Sequence, residues 1–98
     1  MILVTGPDLL AMQEAALTLF DAGHIPVVGE WFASPMASLP ACGAQYEDVF
    51  GPLSERLLLR ADAVLRLEGK STAADALVFD ARRQGMRVFF NLDDALAG

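Results

Sequence analysis

The sequence predicts an α/β domain, a small parallel sheet with helices on both faces. Three observations point there. Four short apolar runs, near residues 2–5, 25–28, 62–67 and 86–90, read as strands. Segments with apolar residues at helical spacing lie between most of them. Gly and Pro punctuate most of the junctions. Strands that alternate with helices imply parallel pairing, because each crossover returns the chain to the same end of the sheet. Right-handed crossovers restrict the winding, and the expected strand order is 2-1-3-4.

Each element has its own signal. Ile2-Leu3-Val4 ends at Thr5-Gly6-Pro7, a buried strand stopped by a turn. From about Asp8 to Ala22, Leu9, Met12, Ala16, Leu19 and Phe20 recur at helical spacing, and Gly23 stands where a helix ends. Ile25-Pro26-Val27-Val28 forms the second strand. Pro26 cannot donate to a ladder, so this strand is expected at a sheet edge. Residues 29–44 contain Gly29, Pro35, Pro40 and Gly43 without a clear period and read as a long loop. Trp31 and Phe32 in that loop need burial, on the domain itself or across an interface.

Gln45 to about Arg60 reads as helix, either continuous or broken at Gly51-Pro52, with Leu53, Leu57 and Leu58 on one face. The run Ala61–Leu67 supplies the third strand. Thr72-Ala73-Ala74-Asp75 fits a capping box at the start of a helix that runs to about Gln84 and is closed by Gly85. Arg82 and Arg83 suit the negative end of its dipole. Met86–Phe90 is the fourth strand, and Leu92 to Leu96 a short final helix.

The length, 98 residues, fits one domain spanning 1–98. Its hydrophobic content is 54%, above the ordinary ~45–50%. So small a domain cannot hide all of that surface, and a homo-oligomer, most simply a homodimer, is expected. Thirteen acidic residues against 7 basic ones give a net charge of −6. With its basic residues scattered, such a surface suits neither DNA nor RNA. No run approaches the ~20 apolar residues of a membrane span. The opening Met1-Ile2-Leu3-Val4-Thr5 lacks a positive region and a cleavage signal. The single Cys42 permits neither an internal disulfide nor a cysteine metal site. A cytoplasmic location without a cofactor is the expectation.

Ligands of such sheets bind outside the carboxyl ends of the strands. Two segments fall there, Thr5-Gly6-Pro7 and Gly69-Lys70-Ser71-Thr72, and they are the candidate ligand-binding residues. The second joins a strand to a helix start, where free N–H groups and the dipole favour an anion. It is not a P-loop, because Val64 stands where the earlier glycine would be. A plain N-capped loop explains the same residues. Pro7 supplies no N–H, and Asp8 opposes an anion. His24 has no second His or Cys nearby for a metal. Glu47-Asp48 and Asp93-Asp94 read as solvated pairs or helix starts.

Taken together, the motifs resemble the nucleoside 2-deoxyribosyltransferase-like superfamily, particularly its short bacterial members, over nearly the whole chain. The similar features are the strand ending in Thr5-Gly6-Pro7, Ala22-Gly23-His24 before an apolar strand, Asp62-Ala63-Val64 with Leu67 and Gly69, and Ser71, Ala81 and Gly85 followed by Val88. The resemblance implies a flavodoxin-like three-layer sandwich. It also implies a helix-borne glutamate nucleophile assisted by acids and a first-strand tyrosine. By the same resemblance, Leu77 stands at the nucleophile position and Leu3 at the tyrosine, with Ser54 and Lys70 near the acids.

The expected function is therefore a non-catalytic domain that binds a nucleotide, nucleoside or sugar phosphate at a degenerate site. One alternative is an active N-glycosidic-bond enzyme using a displaced acid, Asp80, Glu55 or Asp75. At ~100° per residue, Asp75 projects about 160° from Leu77, and Asp80 about 60° away but one turn deeper. The other alternative is an oligomeric interaction module.

Overall fold

The computed structural model describes residues 1–43 and 45–98. The chain runs β1 (Ile2–Thr5), α1 (Leu9–Asp21), β2 (Pro26–Val28), α2 (Glu30–Ala37), a 3-10 turn (Pro40–Cys42), α3 (Tyr46–Arg60), β3 (Ala63–Arg66), α4 (Thr72–Arg83), β4 (Arg87–Phe89) and α5 (Leu92–Ala97). All strands are parallel, in the order β2-β1-β3-β4. The architecture is the expected α/β three-layer sandwich of flavodoxin-like form.

Successive strand residues point to opposite faces, so each strand feeds two cores. On one face Ile2, Val4, Leu65 and Phe89 meet Met12, Ala16 and Leu19 of α1 and Ala95 of α5. On the other, Leu3, Val27 and Val64 meet Leu58 of α3 and Leu77 and Ala81 of α4. Covered on both sides, β1 and β3 are buried at every position. Continuous apolar runs rather than alternation are the sequence mark of that burial.

Pro26 does lie on an edge strand. The Ile2 N–H donates to the Ile25 carbonyl at 2.8 Å. A parallel ladder alternates its partners, so the Pro26 ring nitrogen turns to the free edge, where its missing N–H costs no ladder bond.

Two expectations need correction, and one open reading is decided. Of the stretch 29–44 read as loop, residues 29–43 hold α2 and the 3-10 turn, and residue 44 lies outside the described residues. Only Ala33 of α2 is fully buried, so no apolar period marks the helix, and Pro35 lies inside it. Helix α3 does not break at Gly51-Pro52. Pro52 forfeits only the bond its N–H would make to the Asp48 carbonyl, and both residues are exposed, so water can serve that carbonyl. Finally, the cap of α4 is Ser71 rather than Thr72: its hydroxyl accepts from the Ala74 N–H at 3.1 Å, and Thr72 is the first helical residue.

Pro52→Ala should restore the α3 hydrogen bond and raise stability by about 1–2 kcal/mol, net of the entropy that Pro removes from the unfolded chain. Urea denaturation of the two proteins checks this; a lower midpoint for the variant would mean that Pro52 serves the native helix.

Candidate functional site

The first and third strands bring their following loops into contact. Beyond the strands, the Leu67 N–H donates to the Thr5 carbonyl at 2.9 Å, extending the pairing by one residue. A Cβ on Gly69 would sit 2.6 Å from Pro7 Cγ, and Gly69 has a φ of +117°. Both facts require glycine there. Thr5, Gly6, Pro7 and Gly69 therefore form one junction at the carboxyl edge of the sheet. Ser71 caps α4 beside it, while Lys70 and Thr72 are exposed.

Thr5 and Arg66 are partners in the β1–β3 register, and both are buried. Strand alternation turns both side chains to the α3/α4 face, with Leu3 and Val64. The Arg66 side chain is 10% exposed, and its Nη2 donates to Asp75 Oδ1 at 2.8 Å. Its Nη1 donates to the Leu67 carbonyl. Asp75 is 71% exposed in the first turn of α4, where the helix dipole also favours its charge. The strand end thus carries a buried cation held by a surface carboxylate.

Between α3 and α4 lies a groove of 180 Å³ whose lining includes Phe50, Ser54, Glu55, Ala73, Leu77 and Asp80. The carboxyl end of β2 closes on the same wall. A Cβ at Gly29 would lie 3.1 Å from Phe50 Cε1 and 3.8 Å from Ser54 Oγ. Phe50 stacks on Tyr46 with ring centres 5.5 Å apart. Burial pushes the Glu30 carboxyl above the usual glutamate range, opposed by a hydrogen bond from its own backbone. Burial also raises the Tyr46 phenol, and the neighbouring Glu30 charge adds to it.

Leu77 faces the groove and offers hydrocarbon only. Of the displaced acids, Glu55 and Asp80 border the groove, whereas Asp75 is committed to Arg66. Among the described residues no cluster of three or more His, Cys, Asp or Glu could hold a metal. No helix among them is long and apolar enough to cross a membrane.

Arg66, Glu30 and Tyr46 were not among the expected site residues. Arg66 did leave a signal, a charge inside the apolar run Val64–Leu67. Glu30 sat in the segment that read as loop. A larger concavity, 530 Å³, lies elsewhere, along α1, the β2 edge and Trp31, with no Asp, Glu, Lys or Arg in its lining. Compared with known protein families, curated proteins and solved structures, the chain finds no match.

Asp75→Ala should destabilise the protein by about 1–2 kcal/mol, because it strands a buried guanidinium; the exposure of Asp75 keeps the loss below that of a fully buried pair. Arg66→Met should cost less, since Asp75 then simply returns to water. Chemical denaturation ranks the two, and the reverse order would contradict the asymmetry. Glu30 binds its proton more tightly folded than unfolded. Its contribution is therefore full at low pH and is lost as pH rises from the ordinary glutamate value through the raised one. Glu30→Gln should remove that decline, leaving the variant relatively more stable at neutral than at acidic pH in denaturation curves.

Proposed function

We propose that the chain is a cytosolic, non-catalytic binding domain, a degenerate relative of the nucleoside 2-deoxyribosyltransferase-like superfamily. Its ligand is a nucleoside, nucleotide or sugar phosphate held at the carboxyl edge of the sheet. One observation supports the reading: a buried Arg66 and Thr5 end adjacent central strands, and α4, whose Asp75 holds Arg66, also lines the groove with Leu77, the residue that the family resemblance sets at the nucleophile position.

The chemistry follows from these groups. An anionic oxygen can take the place of the Asp75 carboxylate on Arg66, since a guanidinium binds carboxylate and phosphate with the same fork of donors. The groove, at 180 Å³, is smaller than the ~300–1,000 Å³ of sites for drug-sized ligands. It suits one ring, with the rest of the ligand along the surface. The Tyr46–Phe50 stack beside it provides an aromatic wall for a base. Leucine has no lone pair to attack a sugar carbon, so the covalent route is closed.

Asp80 and Glu55 on the groove favour a second reading, an N-glycosidic-bond enzyme that uses a displaced acid. The readings separate in one experiment. Thermal unfolding with a panel of deoxynucleosides, nucleotides and sugar phosphates should show at least one ligand raising Tm. A ligand at ~100 times its Kd adds about 2.7 kcal/mol, a rise of several degrees for a domain of this size. Arg66→Met should weaken phosphorylated ligands more than nucleosides. Chromatography of the same mixtures should show base release no faster than background. Turnover abolished by Asp80→Asn would establish the second reading, and a panel without any stabilising ligand would overturn the first.

A further inference from the structure

Basic charge is confined to one part of the chain. Residues 1–55 contain seven of the 13 acidic side chains and no Lys or Arg; all 7 basic residues lie from Arg56 to Arg87, among or beside the other six acids. The β2 edge, built from the first part, therefore carries no Lys or Arg, and β4, the opposite edge of the sheet, lies beside Arg82, Arg83 and Arg87. Helices α1 and α2, both from the acidic half, pack beside β2.

Both edges expose apolar surface of different character. At the β2 edge, Leu17, Phe20, Ile25 and Trp31 surround the 530 Å³ concavity. Phe20 is 64% and Ile25 68% exposed. Asp21 follows Leu17 by one helical turn. At the β4 edge, Phe79 and Phe90 are exposed, and each lies under a guanidinium. Arg82 stands 5.2 Å from the Phe90 ring centre and Arg83 5.9 Å from that of Phe79. As Arg82 and Arg83 are neighbours, the four residues make one aromatic and basic surface.

We propose that a second copy of this chain occupies the α1–β2–α2 face, docking through its own β4 edge, so that copies join head to tail. Charge complementarity selects this occupant. A symmetric pairing through the β2 edge would bring two halves together that hold only acids. Sheet extension there is also disfavoured, because Pro26 offers no donor to a new strand. The head-to-tail contact instead sets Arg82 and Arg83 against the acidic half and seats Phe79 and Phe90 on uncharged apolar walls. Aromatic residues and Arg at an uncharged centre are what stable interfaces favour. Every copy retains one free face of each kind, so the assembly closes as a ring or grows as a filament.

The test uses one variant for each face. Phe20→Glu blocks the β2 face and Phe79→Glu the β4 face, with Ile25→Glu and Phe90→Glu as second choices. All four side chains are exposed, and circular dichroism checks that each variant folds. In light scattering the wild type should exceed a monomer and shrink as salt rises. Each variant alone should be monomeric. An equimolar mixture should form a 1:1 dimer and grow no further, since one intact face of each kind remains. A β4-face variant that stays a dimer alone would establish a symmetric interface instead. A monomeric wild type, or a mixture that stays monomeric, would overturn the proposal and leave the face to another protein.

Discussion

The register between β1 and β3 determines where every candidate functional group lies. Thr5 opposes Arg66 only because Ile2 opposes Ala63, and both then face α3 and α4. A slip of one residue would turn the whole of β3 over, sending Arg66 into the core beneath α1. The same pairing draws Leu67 onto the Thr5 carbonyl and Gly69 onto Pro7. Burial on both faces fixes the register, since neither side of β1 tolerates a polar residue before Thr5. The carboxyl edge is therefore rigidly framed, whereas its groove wall, α3, has one fully buried residue, Leu58.

That contrast explains what the residues alone could reveal. Parallel topology and strand order were legible because β1 and β3 are buried on both faces and read as apolar runs without alternation, interrupted in β3 only by Arg66. The edge position of β2 was legible because Pro26 has a single physical consequence in a ladder. Helix α2 was not, since one buried alanine leaves no period to detect. The continuity of α3 through Pro52 depends on solvent serving a carbonyl, which local sequence does not encode. Of the site, the Thr5–Gly6–Pro7 and Gly69 junction was visible from turn residues. The Arg66–Asp75 pair required the fold, because its partners lie on different elements joined only by the chain's return.

A small domain with 54% hydrophobic residues satisfies its interior with short side chains, many of them Ala and Val, and leaves large ones outside. Leu17, Phe20, Ile25, Phe79 and Phe90 are all exposed. They lie outside the groove and the junction proposed as the ligand site, so that site and the assembly proposed through the two sheet edges would not compete for the same groups. The carboxyl edge holds the polar chemistry, and the β2 face holds almost none.

Amide chemical-shift mapping with a deoxynucleoside 5′-monophosphate tests the central claim, that this edge binds a ligand without reacting with it. The account predicts saturable shifts at Gly6, Gly29, Leu67, Gly69, Ser71 and Leu77, with the nucleotide recovered intact. Shifts confined to the Leu17–Trp31 face, or none at saturating nucleotide, would contradict it.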